Sequence, residues 1–493
     1  MSREEPLGYL TEPQKQVPVA YDLDVAVVGA GIAGLMAALA AGRQGVKTLL
    51  IDRFGSLGGN LGPAMIVGGS VSGEAPVTLP GGLASIPKEL VERLAELSAP
   101  SGHRYADETN IISYLGAKMA EEAGVDVLLP VWAADPIIED SRVTGLFVEG
   151  KSGRVAVKAK VVIDASADAD VARRAGVPTI TDLPPDPSWA PLIRSQFLRP
   201  EFVPWNDTAI YYVMAGVDHA TFQQFLASDV TLSAEDEAWL TERGQFPIQT
   251  QDHPAPMVPL LRQAWESGDF RLQKTVEPHV HITTPHIWKG PFESGLLGNR
   301  INMGGAIRRD DMKQHARLET AIRMHVFETV QFYRRHVPGF EEVYLLIVAP
   351  YFGARGGPFI DGEYTLTPDD AMAGTKFDDV LYRNVKNAEP PKVGAKSGVD
   401  VPYRILLPKR LDGLLVTGRG AAYIRRGHDS IGIRARPSIL QLGEATGAAA
   451  AIAVQDGVAP RDIDIRELQR HLLKQGFYLG EEARLAQLGL SES

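Results

Sequence analysis

Three glycines and one aspartate carry the clearest chemistry in this chain. Gly29, Gly31 and Gly34 stand in the spacing G-x-G-x-x-G, and Asp52 follows eighteen positions after the last of them. Residues of these types at this spacing recognise a dinucleotide. Gly29 allows a tight turn, Gly31 lets backbone approach a pyrophosphate, and Gly34 lets a helix pack closely on a strand. A helix opening at this turn would offer its N–H groups and positive dipole end to the phosphates. Asp52 can accept hydrogen bonds from both hydroxyls of an adenosine ribose.

A second concentration of reactive side chains lies late in the chain. Arg425, Arg426, Arg434 and Arg436 surround His428. They could hold a carboxylate or other anionic oxygens, with His428 giving or taking a proton near neutrality. The same arginines could instead pair with acids across a domain boundary. Arg355 precedes Gly356-Gly357-Pro358, where backbone could run close to a ligand. His428, Arg355, Arg434 and Tyr403 are the candidate catalytic residues. Tyr423 is a further proton partner, although buried tyrosines more often have a satisfied hydroxyl. His279, His281 and His286 lie close together, but no third ligand of matching spacing accompanies them, so no metal site is expected.

These residues need elements to position them. The apolar run Val25 to Val28 reads as a strand, the alanine-rich stretch after Gly31 as a helix, and Thr48 to Ile51 as a second strand. A glycine-rich loop covers 55–82. Helical spacing follows at 87–97 and 110–122, then strand-like runs at 125–129, 131–138, 143–148, 155–157 and 161–163. Turns at Asp140-Ser141 and 150–153 divide them, predicting a small antiparallel meander inserted in the sheet. Residues 176–400 are richer in proline and aromatics. Helices are expected there at 219–228, 234–243, 256–267 and 312–336, with strands at 208–214, 276–283 and 343–349. From 402 the first character returns: a strand at 414–417, a turn at Gly418-Arg419-Gly420, and a small-residue helix from Pro437 to Val454. The helix start could face the redox end of a cofactor, where a positive dipole end would stabilise negative charge. A loose tract at 385–399 reads as a linker.

Composition narrows the function classes. The chain has 493 residues, enough for a large core and more than one domain. It carries 50 basic against 61 acidic residues, a formal net charge of −11, with no basic run, so nucleic acid or anionic lipid is not expected as principal partner. The absence of cysteine excludes disulfides, thiolate catalysis, cysteine-ligated clusters and cysteinyl attachment of a cofactor. The first residues lack a signal pattern, and the most apolar stretches are short, so the expectation is a cytoplasmic protein without a membrane span.

Several blocks together resemble the bacterial FAD-dependent oxidoreductase family, within the glutathione-reductase-like, two-dinucleotide-binding-domain flavoproteins. They are the glycine turn with Asp52 and Gly58-Gly59-Asn60; Val161 to Asp170; His336 to Phe340 leading to Gly353-Ala354-Arg355; and Val401 to Arg404, Leu414 to Arg419, Ser430 to Arg434 and Gly443 to Gly447. In the second block Ser166-Ala167 replaces the family's usual Thr-Gly. The resemblance implies FAD as cofactor. The bare backbone after Asp52 would lie along its pyrophosphate and ribityl chain, while Asp52 would repel an NADP 2′-phosphate. The cofactor-binding set it implies is Gly29, Gly31, Ala33, Gly34, Asp52, Arg53, Gly58, Gly59, Asn60, Val131, Ala165, Gly418, Arg419 and Leu440.

The fold class implied is α/β: a Rossmann-like FAD-binding domain, with a central parallel sheet and an antiparallel meander, plus a mixed α+β substrate or cap domain. The expected division is 18–175 and 401–460 for the FAD-binding domain, 176–400 for the cap, and 461–493 for a helical tail. The expected activity is a dehydrogenase or reductase exchanging a hydride between flavin N5 and a small polar organic substrate of anionic, aromatic or sugar-like character. A flavin monooxygenase using NAD(P)H and oxygen is one alternative, and a flavin-bearing electron-transfer subunit is another. With a single G-x-G-x-x-G of this quality, no dedicated nicotinamide domain is expected. The electron partner is left among a quinone, a carrier protein, oxygen and NAD(P)H, and a homo-oligomer is compatible with the sequence.

Overall fold

The computed structural model describes residues 7–66, 79–98, 104–180, 208–242, 254–277, 280–283, 295–305, 307–354, 356–384, 398–424, 433 and 435–491. Its first sheet is built outward from strand Val19–Val28, whose last four residues, Val25 to Val28, are buried. Thr48–Ile51 pairs with it in parallel on one side, followed by Val125–Leu128. Gly153–Asp164 pairs with it in parallel on the other side. Runs of Val, Leu and Ile suit such strands, because helices cover both faces of a parallel sheet.

The strand Gly153–Asp164 does two jobs. Its first half pairs antiparallel with Arg142–Gly150, while Val162 to Asp164 pair in parallel with Leu414–Val416. The sequence suggested two separate strands here, at 155–157 and 161–163; they are one, because lysines interrupt the apolar pattern without interrupting the backbone. A second correction concerns Val125–Leu128, which joins the parallel sheet. The meander therefore comprises only Trp132–Glu139, Arg142–Gly150 and the start of Gly153–Asp164.

Helices Ile32–Arg43 and Arg436–Asp456 lie against this sheet and each other, both almost wholly buried. Helices Ser85–Leu97 and Arg104–Glu122 pack alongside. The second sheet runs Tyr344–Val348, Thr208–Ala215, Leu296–Gly305, Val280–Thr283, Gln273–Glu277, all antiparallel. The expected single run at 276–283 is thus a pair of strands. Met312–His336 covers this sheet; Asp311 caps its start by accepting from Lys313 and Gln314 N–H.

Two apolar cores result. One combines residues 23–177 with residues from Ile360 onward; the other spans Ala209 to Phe352 and takes in Met65. Described residues from Ile360 to Val399, inside the interval expected for the cap, pack into the first core instead. Short helices Ile465–Lys474 and Glu482–Gln487 occupy the expected C-terminal tail. No described helix is long and apolar enough to cross a membrane.

Candidate active site

The parallel strands end together, at Val28, Ile51, Asp164 and Val416, and the chain turns sharply after each. Gly29 N–H donates to Ile51 O at 2.7 Å, Ala165 N–H to Val28 O at 2.8 Å, and Thr417 N–H to Asp164 O at 2.9 Å. Gly29 has φ +103°, and a β-carbon on it would come 2.4 Å from Ala165 O. Only glycine fits this turn. Ligands in open α/β sheets bind outside this edge of the strands, and here a cavity of about 450 Å³ opens between the two cores.

On the sheet side its wall includes Gly29, Gly31, Ala33, Asp52, Arg53, Gly59, Asn60, Val131, Ala165, Gly418 and Arg419, all expected from the sequence. The late helix adds Arg436 and Ile439, and the cap core adds Tyr211, Arg300, Arg309, Tyr351 and Phe352.

Asp52 is held by backbone. Its Oδ2 accepts from Ala30 N–H at 2.6 Å and its Oδ1 from Phe54 N–H at 2.8 Å, leaving acceptor capacity on each oxygen. Burial pushes its carboxyl above the usual range, against the pull of these two N–H groups. The loop after Asp52 is fixed by rings: Phe54 stacks on Tyr351 at 4.0 Å, and the Arg53 guanidinium lies 4.8 Å from the Phe54 ring centre and 5.1 Å from that of Trp132.

The turn after Gly153–Asp164 is braced by Asp164, which is 1 % exposed. It accepts from Ser166 N–H and hydroxyl at 3.0 and 2.6 Å and from Ala172 N–H at 2.9 Å. That arrangement presents Asp168 to the cavity. Asp168 faces two arginines: Arg419 Nη2 at 3.2 Å and, from the cap side, Arg309 Nε at 3.5 Å. Arg419 also donates to Gly356 O, so its donors serve the protein. Arg309 and Asp168 had no signal in the sequence as a pair, because 141 residues separate them; Asp168 lay inside a recognised motif without a role.

Four expected site residues fall elsewhere. Gly34 does not reach the cavity; a β-carbon there would lie 1.8 Å from Gly29 O, so it serves helix-on-turn packing. Gly58 donates its N–H to Ala30 O and backs onto Ile112. Leu440 is fully buried; one residue is 100° around a helix, and Ile439 takes the cavity face instead. Tyr403 is 3 % exposed and donates its hydroxyl to Pro460 O at 2.7 Å, away from the cavity wall. Tyr423 is buried in the first core. Arg355, His428 and Arg434 lie outside the described residues, as do His279, His286 and most of the tract 385–399. Among the described residues no group of three or more His, Cys, Asp or Glu could hold a metal.

Both helix starts at the cavity lack a side-chain cap and any acidic residue in the first turn. Their first N–H groups are therefore available to an anionic ligand. The late helix begins with Pro437 in its first turn and is braced there by Tyr382, whose hydroxyl donates to Ser438 O at 2.9 Å and lies 2.7 Å from Ser438 Oγ.

A family model described as FAD dependent oxidoreductase matches residues 24–472. The chain belongs to the FAD-dependent oxidoreductase family. Its cofactor is FAD, and the wall suits that group: a β-carbon on Gly31 would meet no protein atom within 4 Å, so the turn leaves room where a pyrophosphate must approach. Relatives of this oxidoreductase include digeranylgeranylglycerophospholipid reductase 2 of Methanothermobacter thermautotrophicus, 31% identical over 170 residues, or 32% of this chain and 42% of that protein. Thiamine thiazole synthase of Sulfolobus acidocaldarius is 31% identical over 159 residues, 30% of this chain and 57% of that protein. The aligned part thus spans about half the length of these curated relatives. A solved structure of a geranylgeranyl bacteriochlorophyll reductase-like protein from Thermoplasma acidophilum aligns over 92% of this chain and 84% of its own, at TM-score 0.38 and 16% identity.

Proposed function

We propose that this enzyme is a dehydrogenase or reductase that exchanges a hydride between its flavin and a small polar organic molecule seated between the two cores. One observation supports this reading most directly: a single cavity wall runs from the dinucleotide turn and Asp52 to the cap residues Tyr211, Arg300 and Arg309. A cofactor held at the first end would thus share its enclosure with a polar pocket at the other. FAD supplies the two-electron chemistry. The chain's own groups then have positional roles. The N–H groups opening helix Ile32–Arg43 would hold the pyrophosphate, and Asp52 would accept from the adenosine ribose. The uncapped start of Arg436–Asp456 would offer positive potential to negative charge on the bound cofactor. Tyr351 and Phe352 close the cap side against water. In this reading 18–175 and 401–460 carry the cofactor with the described part of 360–399 packed against them, the rest of 176–400 supplies the cap, and His428, Arg355 and Arg434 remain candidates for proton transfer.

The test is an anaerobic screen of small acids, sugars and aromatics for bleaching of the long-wavelength flavin band. Bleaching by one class supports the reading. Hydroxylation coupled to consumption of NAD(P)H and oxygen would replace it with a monooxygenase. A stable complex with a cluster-bearing partner, and no bleaching by any organic compound, would make the chain an electron-transfer subunit.

A further inference from the structure

Arg309 is a cation enclosed more completely than its surroundings compensate. Its side chain is 7 % exposed, and its guanidinium packs over the Phe352 ring at 5.2 Å. Asp168 approaches Nε at 3.5 Å, at the edge of hydrogen-bond reach, and among the described residues neither Nε nor Nη1 has a well-placed acceptor. The same carboxylate lies closer to Arg419, at 3.2 Å. Two guanidinium groups therefore share one aspartate. Burial lowers the proton affinity of Arg309, and the charges of Arg419 and Arg53 act in the same direction against Asp168. A buried guanidinium with unmet donors is costly, and a ligand that supplies acceptors removes the cost.

The residue is also held ready. It lies between strand Leu296–Gly305 and helix Met312–His336. The preceding Arg308 donates its N–H to Gln314 Oε1 at 2.6 Å, and Asp311 caps the helix just after it. The cavity wall as a whole carries six arginines against Asp52, Asp168 and Asp170 among the described residues, in a chain whose net charge is −11. The FAD pyrophosphate brings two negative charges. The described wall thus stays positive beside the cofactor, which favours an anionic ligand. Apolar groups of the same wall, Phe352, Ile66 and Ile439, suit an organic body.

We infer that Arg309 is the anion-recognising residue of the substrate pocket and takes the carboxylate of a small organic acid. This rests on the cavity being the substrate site, as proposed above, but not on the reaction carried out there. Guanidinium groups are well matched to carboxylates through charge-assisted hydrogen bonds.

The experiment uses the FAD-loaded enzyme and pairs of probes, acetate with acetamide and benzoate with benzamide. Binding is read by equilibrium dialysis and by perturbation of the flavin absorbance, without turnover. At least one acid should bind about tenfold or more tightly than its amide, and Arg309→Met should remove that preference while FAD content stays at the wild-type level. Arg309→Lys should keep part of it. The inference is overturned if no acid outbinds its amide, or if Arg309→Met leaves the preference intact. It is equally overturned if Arg309→Met folds but loses FAD while Arg309→Lys retains it, since Arg309 would then neutralise the pyrophosphate. Should Arg309→Met fail to fold, the acid–amide comparison on wild type and Arg309→Lys decides. Arg309-dependent acid binding with no bleaching by any organic compound would count against the hydride reading and leave this inference in place.

Discussion

Gly443 rests directly on Ala33. A β-carbon on Gly443 would lie 2.2 Å from the Ala33 carbonyl oxygen, and one helical turn further on, Gly447 stands in the same relation to Ala37 at 2.1 Å. The two helices that start at the cavity are therefore in backbone contact, and each fixes where the other points. In an ordinary helix interior Gly→Ala stabilises by about 1 kcal/mol. Here the sign should reverse. Gly443→Ala must push the helices apart and is expected to cost about 2 kcal/mol by overpacking, with a lower thermal midpoint and faster FAD loss on dilution. A rise in the midpoint would show that the contact is looser than described.

Gly31 offers the opposite case. Nothing in the protein lies within 4 Å of the position a β-carbon would take. Gly31→Leu should therefore fold with unchanged far-ultraviolet circular dichroism and yet purify colourless, because its side chain fills the space the pyrophosphate needs. Full FAD occupancy in that variant would remove the turn from the cofactor site.

Ala167 lies in the left-handed region, with φ +75°. A residue with a β-carbon is strained there by about 1 kcal/mol. Ala167→Gly should relieve this and stabilise the apoprotein by up to about 1 kcal/mol, less the entropy of the freer unfolded chain. Chemical denaturation of the two proteins, compared at equal cofactor content, measures it.

Glu444 predicts a pH dependence. It lies on helix Arg436–Asp456, 3 % exposed, against the start of helix Ser85–Leu97. Burial raises its carboxyl to about 8, countered only in part by Ser85 and the Ile86 N–H. A folded-state value above the unfolded one means the native protein binds the extra proton. Stability is then fully present below about pH 4.5 and declines as pH rises to 8. The loss is on the order of a few kcal/mol. Glu444→Gln should flatten this decline in a series of melting curves between pH 5 and 8.5. An equally steep decline in the variant would assign the effect to other groups.

Local pattern was enough to locate much of the architecture. Helix Met312–His336 agrees with its apolar spacing at both ends, because Asp311 caps one and Val337-Pro338 stops the other. The glycine turn, Asp52 and the small-residue late helix were legible for the same reason: each depends on neighbours in sequence, whose steric and hydrogen-bonding demands are written in residue type. The division of Gly153–Asp164 between two pairings was not, since strand pairing depends on which partners reach each edge.

The candidate site divides along the same line. Residues that touch a ligand through backbone, such as Gly29 and Gly31, are identifiable from the chain itself, for their small size is the function. Arg309 was invisible there, one arginine among many in a short polar stretch. Only folding sets it over Phe352 and beside Asp168, excludes water, and leaves its donors unmet. Burial and long-range charge are properties of the assembled cores, and they turn an ordinary cation into a recognition element.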